Sequence, residues 1–386
     1  MDNAHDPKED EVGTIATAQV EGEGKIEDGI GICISGGGYR AMLFHVGALW
    51  RLNEVGILAE AKRISSVSGG SITAGWLALT WKKYPSETGG IVPDAIRNAF
   101  AAGIRRLANQ TIDLPSVLRG FLPWRNVGRE VAAAYNRVLF NGATLQDLPD
   151  NQRFIFNASN LQTGALWRFS KPYMGDWKVG LVMNPELELA TAIGASSAFP
   201  PILSPIELQL RPEETKWEKK GRLHYPPYTT RPVLSDGGVY DNLGLEPVLK
   251  NYRTVLVGDG GAPFRPKPKP ARMWPFQLKR VVDCIDNQVR SLRKRDLMDN
   301  FDSQQRRGAY WGLGTPLSAY AKTCGLVMSD DLVQRLSRIP TRLARIESRL
   351  QEQLINWGYA ACAASLASNY HEETVAAAWP YPDAVN

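Results

Sequence analysis

Short apolar runs, each followed by a glycine-containing turn, set the pattern of the first part of the chain. The run GIGICIS at 29–35 is rich in β-branched residues, which predicts a buried strand. After the letters SGGG, apolar residues recur at helical spacing from 39 to 55. A second strand-like run at 63–67 meets Ser68 and two glycines, and an apolar segment follows at 71–81. This order is typical of an α/β fold, and it predicts three α/β/α layers around a central, mostly parallel sheet.

The rest of the chain divides into segments of different character. Residues 1–28 are polar, acidic and aperiodic, which predicts a disordered tail. Residues 82–150 are helical in parts, and we interpret them as a helical insertion over the sheet edge and a candidate cap. Further short apolar runs predict strands at 153–157, 232–236 and 254–258. From 263 to 386, a basic loop leads into a charged, amphipathic, helical C-terminal region.

Composition narrows the class of protein without identifying it. The 386 residues include 44% hydrophobic and 22% charged residues, which is the usage of an ordinary globular chain. No run approaches about 20 apolar residues and the first residues are acidic, so we expect neither a membrane-spanning helix nor a secretory signal. The four cysteines lie far apart without a CxxC pair, which fits neither a zinc site nor a disulfide framework. The sequence therefore predicts a cytoplasmic protein.

The net charge of +5 conceals an asymmetry along the chain. Residues 1–28 carry nine acids and two lysines, a charge of −7, so the remainder carries +12. A basic body favours an anionic partner, either nucleic acid or a lipid surface. Charge that merely keeps the chain in solution is an equally good explanation at this point.

The first glycine turn, Gly36 to Gly38, joins a predicted strand to a predicted helix. Backbone N–H groups and the positive end of the helix dipole meet at such a point, which favours an anion. The spacing Gly36-x-Gly38-x-x-Ala41 also fits a dinucleotide fingerprint. That function needs an acid at the end of the second strand, where this sequence has Ser68. A purely structural turn is the remaining alternative.

The second turn has the pattern of a nucleophile elbow, in which a serine between a strand and a helix is flanked by small residues. It reads SVSGG, with Ser68 at the centre and Ser66 where the usual pattern has glycine. The third turn places Asp236 before two glycines, and the tripeptide 259–261 repeats these letters. A serine, a base and backbone donors are what an acyl hydrolase needs. Of the four histidines only His371 follows Asp236, and a Ser-Asp dyad needs none.

Taken in order, the strings SGGGYR, SVSGGS and SDGG resemble those of the patatin-like phospholipases. The string SGGGYRAM is also similar to the glycine loop of the animal cytosolic phospholipases that share this fold. The match covers roughly residues 29–262 and includes the blocks NASNL and ASSAFPP. The resemblance implies a patatin-like α/β/α catalytic domain over 29–262 that hydrolyses acyl esters of lipids. It also implies a Ser-Asp dyad that works without a metal or any other cofactor.

The resemblance implies a role for each matched residue. Ser68 falls on the catalytic nucleophile and Asp236 on its base, preferred over Asp259 because the letters DGGVYDNL continue as in the family. The oxyanion hole falls on Gly36, Gly37 and Gly38. Arg40 falls on the adjacent basic residue of bacterial members, which is a substrate- and anion-binding position. Ser66 and Ala41 depart from the family pattern, and both are small residues.

The resemblance thus implies a lipid acyl hydrolase of the phospholipase A or lysophospholipase type that works through an acyl-enzyme. The alternatives are a general carboxylesterase for soluble esters and a module that binds an anionic ligand beside an idle serine. The expected partners are a phospholipid or another acyl lipid and, transiently, an anionic membrane surface. No nucleic-acid partner is expected.

A basic, proline-rich loop lies just past the matched region. It carries four cations at 265–272 and is followed by Trp274 and Phe276. The next segment, 278–292, has apolar residues at helical spacing beside several arginines. Cations next to exposed aromatic residues suit an anionic membrane surface. The alternative is that the apolar stripe packs on the catalytic domain and the cations are merely solvated.

Overall fold

The computed structural model describes residues 26–120, 127–370 and 375–385. Within these ranges, eleven strands form a single sheet. Their bounds are β1 Glu27–Ile34, β2 Ala61–Ser66, β3 Arg153–Asn160, β4 Leu166–Phe169, β5 Tyr173–Asp176, β6 Gly180–Met183, β7 Ile206–Glu207, β8 Trp217–Glu218, β9 Val233–Asp236, β10 Tyr252–Asp259 and β11 Arg307–Gly312.

The α-helices follow β1 and β2, fill the long connection from β2 to β3, and form much of the chain after residue 273. Their bounds are α1 Gly38–Glu54, α2 Ile57–Glu60, α3 Gly69–Lys83, α4 Pro93–Ala95, α5 Ala102–Ala108, α6 Asp113–Gly120, α7 Val127–Tyr135, α8 Leu189–Ser196, α9 Gly238–Asp241, α10 Glu246–Leu249, α11 Trp274–Asp302, α12 Asp330–Ser337 and α13 Ser348–Asn369. Two π-helical segments, Ile96–Ala101 and Asn136–Phe140, join α4 to α5 and extend α7.

The sheet is parallel at its centre and antiparallel on one side. The strands β11, β10, β1, β2 and β3 are neighbours in this order, and all of these pairs are parallel. Beyond β3, the strands β4, β5, β6 and β8 follow as antiparallel neighbours, and β9 pairs with both β3 and β7. Parallel neighbours need crossover connections, which begin with α1 after β1 and with α3 after β2. The predicted α/β class with a central parallel sheet is confirmed.

Residues of β1 alternate between two hydrophobic clusters on opposite faces of the sheet. Ile32 and Ile34 belong to the larger cluster, which also contains the buried residues of α1, α3 and α13. Cys33 belongs to a smaller cluster that includes Val248 and Leu297. Because both faces are covered, the strand carries a nearly continuous apolar run, and this is why its sequence predicts a buried strand.

Two segments differ from their predicted secondary structure. The first strand begins at Glu27, within the predicted tail 1–28, whose residues 1–25 lie outside the described part. The region 263–386 is not only helical, because β11 pairs in parallel with β10 and α13 packs along α1. These pairings depend on residues far apart in the chain, so no local pattern reveals them. In the described ranges, no helix has the length and apolar character needed to cross a bilayer.

Candidate active site

The ends of β2 and β9 meet on the same side of β3. The strand β2 runs parallel to β3 and pairs Ser66 with Phe156. The strand β9 runs antiparallel to β3 and pairs Asp236 with Ala158, on the side of β3 that β4 leaves free. Both strands therefore end facing each other across Asn157. Because two residues of a strand span about 6.6 Å, a side chain just past β2 comes within reach of the Asp236 carboxylate.

Ser68 occupies the turn between β2 and α3 in a strained backbone conformation. Its φ of 52° and ψ of −120° are values that residues other than glycine rarely adopt. Its N–H group donates a hydrogen bond to Ser196 Oγ at 3.0 Å. A Cβ atom at Gly69 would lie 2.2 Å from the carbonyl oxygen of Gly38, so only glycine fits directly after Ser68. The turn has the geometry of a nucleophile elbow.

The serine at position 66, where the usual elbow has glycine, takes part in a buried chain of hydroxyl groups. Its Oγ donates to the carbonyl oxygen of Ile155 at 3.1 Å and accepts a hydrogen bond from Ser71 Oγ at 3.0 Å. The Ser71 hydroxyl lies 2.8 Å from Ser196 Oγ, which in turn accepts from the Ser68 N–H. The Ser66 hydroxyl is therefore fully paired, and the chain of hydroxyl groups ties the elbow to α8.

Asp236, the last residue of β9, is buried, and only one of its two carboxylate oxygens accepts a hydrogen bond within the described ranges. Its Oδ1 accepts a hydrogen bond from the Gly238 N–H at 2.7 Å, and its Oδ2 makes no hydrogen bond to the described residues. Burial raises the pKa of Asp236 to about 7, against the lowering effects of the Gly238 N–H and of the Ser68 hydroxyl. The approach of the Ser68 hydroxyl does not reach full hydrogen-bond geometry, and such pairs often tighten only when substrate binds. A carboxylate of this kind can accept a proton near neutral pH.

The second Asp-Gly-Gly, which begins at Asp259, has a different environment. Its Oδ2 accepts a hydrogen bond from the Tyr310 hydroxyl at 2.7 Å, and its Oδ1 accepts from the Gly261 N–H at 2.9 Å. An Arg290 nitrogen lies 3.8 Å from Oδ1. The strand β10 lies on the other side of β1 from β2, so Asp259 does not face the elbow. Its carboxylate stabilises the loop after β10.

The glycine loop lies directly against the elbow. A Cβ atom at Gly36 would lie 3.0 Å from the Cβ of Ser68. The Gly36 N–H, however, donates to the carbonyl oxygen of Asn242 at 3.1 Å. The N–H groups of Gly37 and Gly38 stand at the first turn of α1 and make no hydrogen bond within the described part of the chain. Two of the three donors that the sequence predicts are therefore free to bind a negative charge beside Ser68.

Asn242 connects the glycine loop to the turn after Asp236. Its carbonyl oxygen binds the Gly36 N–H, and a Cβ atom at Gly36 or Gly238 would lie 2.4 or 2.8 Å from its Oδ1. Asn242 belongs to the block DGGVYDNL, in which no local pattern indicates a role for it. Its position could only be found from the fold, because the contact joins residues that are about 200 positions apart.

Arg40 does not lie where an anion could bind to it. The residue is 1% exposed, and its guanidinium group donates to the carbonyl oxygens of Gly260 and Ile339 and to Thr341 Oγ1. Burial, together with the nearby charge of Arg290, lowers the pKa of Arg40 to about 10. The predicted anion- and substrate-binding role is corrected accordingly. Arg40 holds the C-terminal segment 339–341 against the glycine loop.

Neither described histidine makes a hydrogen bond to Ser68 or Asp236, and His224 Nδ1 lies 3.0 Å from the Val179 carbonyl oxygen instead. His45 is buried beneath the glycine loop, where its Nε2 lies 3.0 Å from the Ser35 carbonyl oxygen. Burial lowers the pKa of His45 to about 4, so its ring is neutral at ordinary pH and donates to that carbonyl. His371, the histidine that follows Asp236 in the sequence, lies outside the described residues.

A cavity of about 520 Å³ lies beside α7 and β7, away from the elbow. Its lining includes Arg129, Asn136 and Glu188, and neither Ser68 nor Asp236 contributes to it. The Ser68 side chain itself is 8% exposed. Among the described residues, no group of three or more His, Cys, Asp and Glu side chains is arranged to hold a metal ion.

Comparison with known proteins places this fold and site in a family. The family model described as patatin-like phospholipase matches residues 32–249, which is more than half of the chain. The chain belongs to the patatin-like phospholipase family. Membership supports lipid acyl hydrolysis at the level of the family. No curated protein sequence matches the chain.

Two solved structures of one human protein share the fold at low sequence identity. Human GIVD cytosolic phospholipase A2 aligns with a TM-score of 0.50 and 15% identity, covering 92% of this chain and 62% of that one. The same human protein in complex with methyl gamma-linolenyl fluorophosphonate aligns with a TM-score of 0.50 and 16% identity, covering 92% and 60%. VipD from Legionella pneumophila aligns with a TM-score of 0.37 and 13% identity, covering 90% and 68%. This chain thus spans about three fifths of the length of the human protein, whose fold it shares.

Proposed function

We propose that this chain is a lipid acyl hydrolase in which Ser68 and Asp236 form a catalytic dyad. The Ser68 hydroxyl attacks the ester carbonyl carbon while its proton passes to the Asp236 carboxylate. The negative charge that develops on the carbonyl oxygen is held by the N–H groups of Gly37 and Gly38 at the positive end of α1. Gly36 is not assigned to this oxyanion hole, because its N–H already binds Asn242.

The remaining steps release the alcohol, hydrolyse the acyl-enzyme and restore the original protonation of Ser68 and Asp236. Collapse of the tetrahedral intermediate breaks the bond to the alcohol, which leaves with the proton held by Asp236. A water molecule then attacks the acyl-enzyme and gives a proton to Asp236. The second collapse breaks the bond to Ser68, which recovers its proton as the fatty acid leaves.

The observation that supports the dyad best is the meeting of β2 and β9 across Asn157. It places a serine in a strained elbow beside a buried carboxylate with a free Oδ2. A base is most useful when its pKa lies close to the working pH, and burial raises the pKa of Asp236 to about 7. The serine therefore needs no histidine to receive its proton.

A fluorophosphonate tests the nucleophile directly, because it phosphonylates an activated serine with loss of fluoride. We expect an alkyl fluorophosphonate to label the intact protein at Ser68, and we expect no label on Ser68→Ala protein. Ser86→Ala, which changes a half-buried serine on a loop, is the matched control and should label normally. Labelling of well-folded Ser68→Ala protein to the same extent as the wild type would show that another residue is the nucleophile.

The substrate class needs a second assay. We expect the wild type, and not Ser68→Ala, to release fatty acid and lysophospholipid from phosphatidylcholine vesicles. Release from a soluble p-nitrophenyl ester alone would instead indicate a general carboxylesterase. A folded wild type that hydrolyses neither substrate and takes up no fluorophosphonate would contradict the proposal as a whole.

A further inference from the structure

From its first residue to Leu292, α11 carries a stripe of large apolar side chains that face the solvent. Trp274 is 73% exposed and Phe276 is 64% exposed. The other strongly exposed members are Met273, Leu278, Val281, Ile285 and Leu292. Five of them recur every three, four or seven positions and therefore share one helix face, which is about 27 Å long: Trp274, Leu278, Val281, Ile285 and Leu292. Met273 and Phe276 lie outside this face. The stripe therefore does not pack on the catalytic domain, which was the alternative left open by the sequence.

The stripe is joined to a cluster of exposed cations. The 20 residues 263–282 contain six cations and no acid. Arg265, Lys267, Lys269 and Arg272 are exposed on the loop before α11. Arg280 binds this loop to the helix, since its guanidinium lies 3.9 Å from the centre of the Phe264 ring and donates to the Arg265 carbonyl oxygen at 2.6 Å. Loop and helix thus form one surface, residues 263–292, which we call the α11 surface.

The second half of α11 anchors this surface to the catalytic domain. Leu297 is fully buried in the smaller hydrophobic cluster, with Met298 and Phe301 packed against it. The Arg293 guanidinium lies 5.6 Å from the centre of the Tyr240 ring on α9, the helix that directly follows the Asp236 turn. The apolar stripe consequently projects from a helix that is held firmly at its other end.

The α11 surface also lies close to the candidate dyad. Helices α9 and α11 pack together, and α9 begins two residues after Asp236. Asp286, the neighbour of Ile285 on α11, lies near enough to raise the pKa of Asp236 by charge repulsion. Molecules in any surface that binds the α11 stripe would therefore lie near the Ser68 elbow.

We propose that the α11 surface docks the protein on an anionic membrane. The loop cations bind lipid headgroups, and Trp274, Phe276 and the apolar stripe enter the interfacial region of the bilayer. Aromatic residues favour this region, and cations beside it gain from the negative charge of the leaflet. The inference deepens the proposed function, on which it rests for its catalytic consequence: docking would place Ser68 beside its lipid substrate.

The charge of the surface favours a membrane over a second copy of the chain. The segment 263–292 carries seven cations against Asp283 and Asp286, so two copies joined face to face along it would bring like net charge together. An anionic bilayer instead offers opposite charge to the loop and an apolar environment to the stripe. A second copy remains an outcome that the experiment detects.

Binding is measured by sedimentation with vesicles, using the full chain with Ser68→Ala so that the lipid stays intact. We expect weak binding to phosphatidylcholine vesicles and at least tenfold stronger binding when about 30% of the lipid is phosphatidylglycerol. Added salt should weaken the binding, because it screens the headgroup charge. Since each cation near the surface is worth roughly a fivefold change, removal of four should lower binding by more than tenfold.

The cation variant replaces Arg265, Lys267, Lys269 and Arg272 by Gln. Its matched control replaces four exposed lysines outside the α11 surface, Lys62, Lys219, Lys220 and Lys322, by Gln. Both variants lose the same net charge. We expect only the first to lose anionic vesicle binding and phospholipid hydrolysis, with soluble-ester turnover unchanged in both. Equal loss in both variants would mean that overall charge rather than the α11 surface is responsible, and it would overturn the inference.

The apolar variant replaces Trp274, Leu278 and Ile285 by Ser, and its matched control replaces Ile26 and Val327, which are also strongly exposed. We expect the apolar variant to lose at least tenfold in vesicle binding and to keep its soluble-ester turnover. Unchanged vesicle binding would overturn the inference. So would a wild-type dimer that this variant converts to monomers, because the stripe would then belong to a second copy.

The inference and the proposed function fail in different ways. Vesicle binding that depends on the α11 surface, without hydrolysis of any ester by the wild type, would support docking and contradict the dyad. Ester hydrolysis without vesicle binding would support the dyad and overturn docking.

Discussion

Replacement of Asp236 by asparagine should separate the activity of the site from the stability of the fold. The carboxylate is 1% exposed, and burial raises its pKa from an ordinary value of 3.8 to about 7. The folded protein therefore holds this proton more tightly than the unfolded chain does. As the pH rises through the window from about 4 to about 7, the folded state loses stability relative to the unfolded chain. Above that window the loss is constant.

The size of this effect follows from the shift in pKa. At 1.36 kcal/mol per unit, a difference of about three units is worth at most about 4 kcal/mol. Replacement by asparagine recovers only part of this free energy, because the buried NH₂ group needs a hydrogen-bond acceptor of its own. We therefore expect Asp236→Asn to raise the free energy of unfolding by about 1–3 kcal/mol near pH 8, and by less at lower pH. Ester hydrolysis should fall by about 10³-fold or more, as expected for a residue that acts as a unit with the nucleophile.

Urea denaturation of wild type and variant, followed by tryptophan fluorescence across the range from pH 5 to pH 8, measures the stability difference. Asp259→Asn is the matched control, because its carboxylate is satisfied by Tyr310 and Gly261 and should give no gain. A variant that is less stable than the wild type near pH 8, or a gain that does not change with pH, would refute the burial argument. Retained esterase activity in folded Asp236→Asn protein would show that Asp236 is not the base.

Four further expectations concern the same site. The kcat/KM for a soluble ester should fall about tenfold per pH unit below pH 7, because Asp236 must be ionised to act as the base. A rate profile that stays flat to pH 5 would exclude Asp236 as the base. Asp259→Asn should keep its esterase rate within a few-fold, and the reverse ranking with Asp236→Asn would exchange their roles. His371→Ala should also stay within a few-fold, whereas a loss of about 10³-fold would indicate a triad. Arg40→Gln should lower the free energy of unfolding by about 2–4 kcal/mol in urea denaturation, because it leaves buried carbonyls unpaired, and a neutral result would contradict the structural role.

The sequence determines the features that are local to one strand and the turn after it. A short apolar run followed by small residues predicts a strand, a sharp turn and a helix, because glycine tolerates the close approaches and positive φ values that such turns need. Ser68 and Asp236 could be singled out in this way, and the order of the strands with their crossovers predicted the α/β class. The motifs then identified the family over most of residues 29–262.

Only the tertiary structure decides which of these turns meet and which groups remain free. The facing ends of β2 and β9 depend on their shared pairing with β3, which no local pattern contains. The Gly36 N–H is taken by Asn242, and the guanidinium of Arg40 is buried on carbonyls of Gly260 and Ile339, up to 299 positions away. Whether a polar group is available for chemistry depends on burial and on its hydrogen-bond partners, and both are set by contacts between distant segments. For the same reason the sequence could not predict whether the apolar stripe of α11 faces the protein or the solvent.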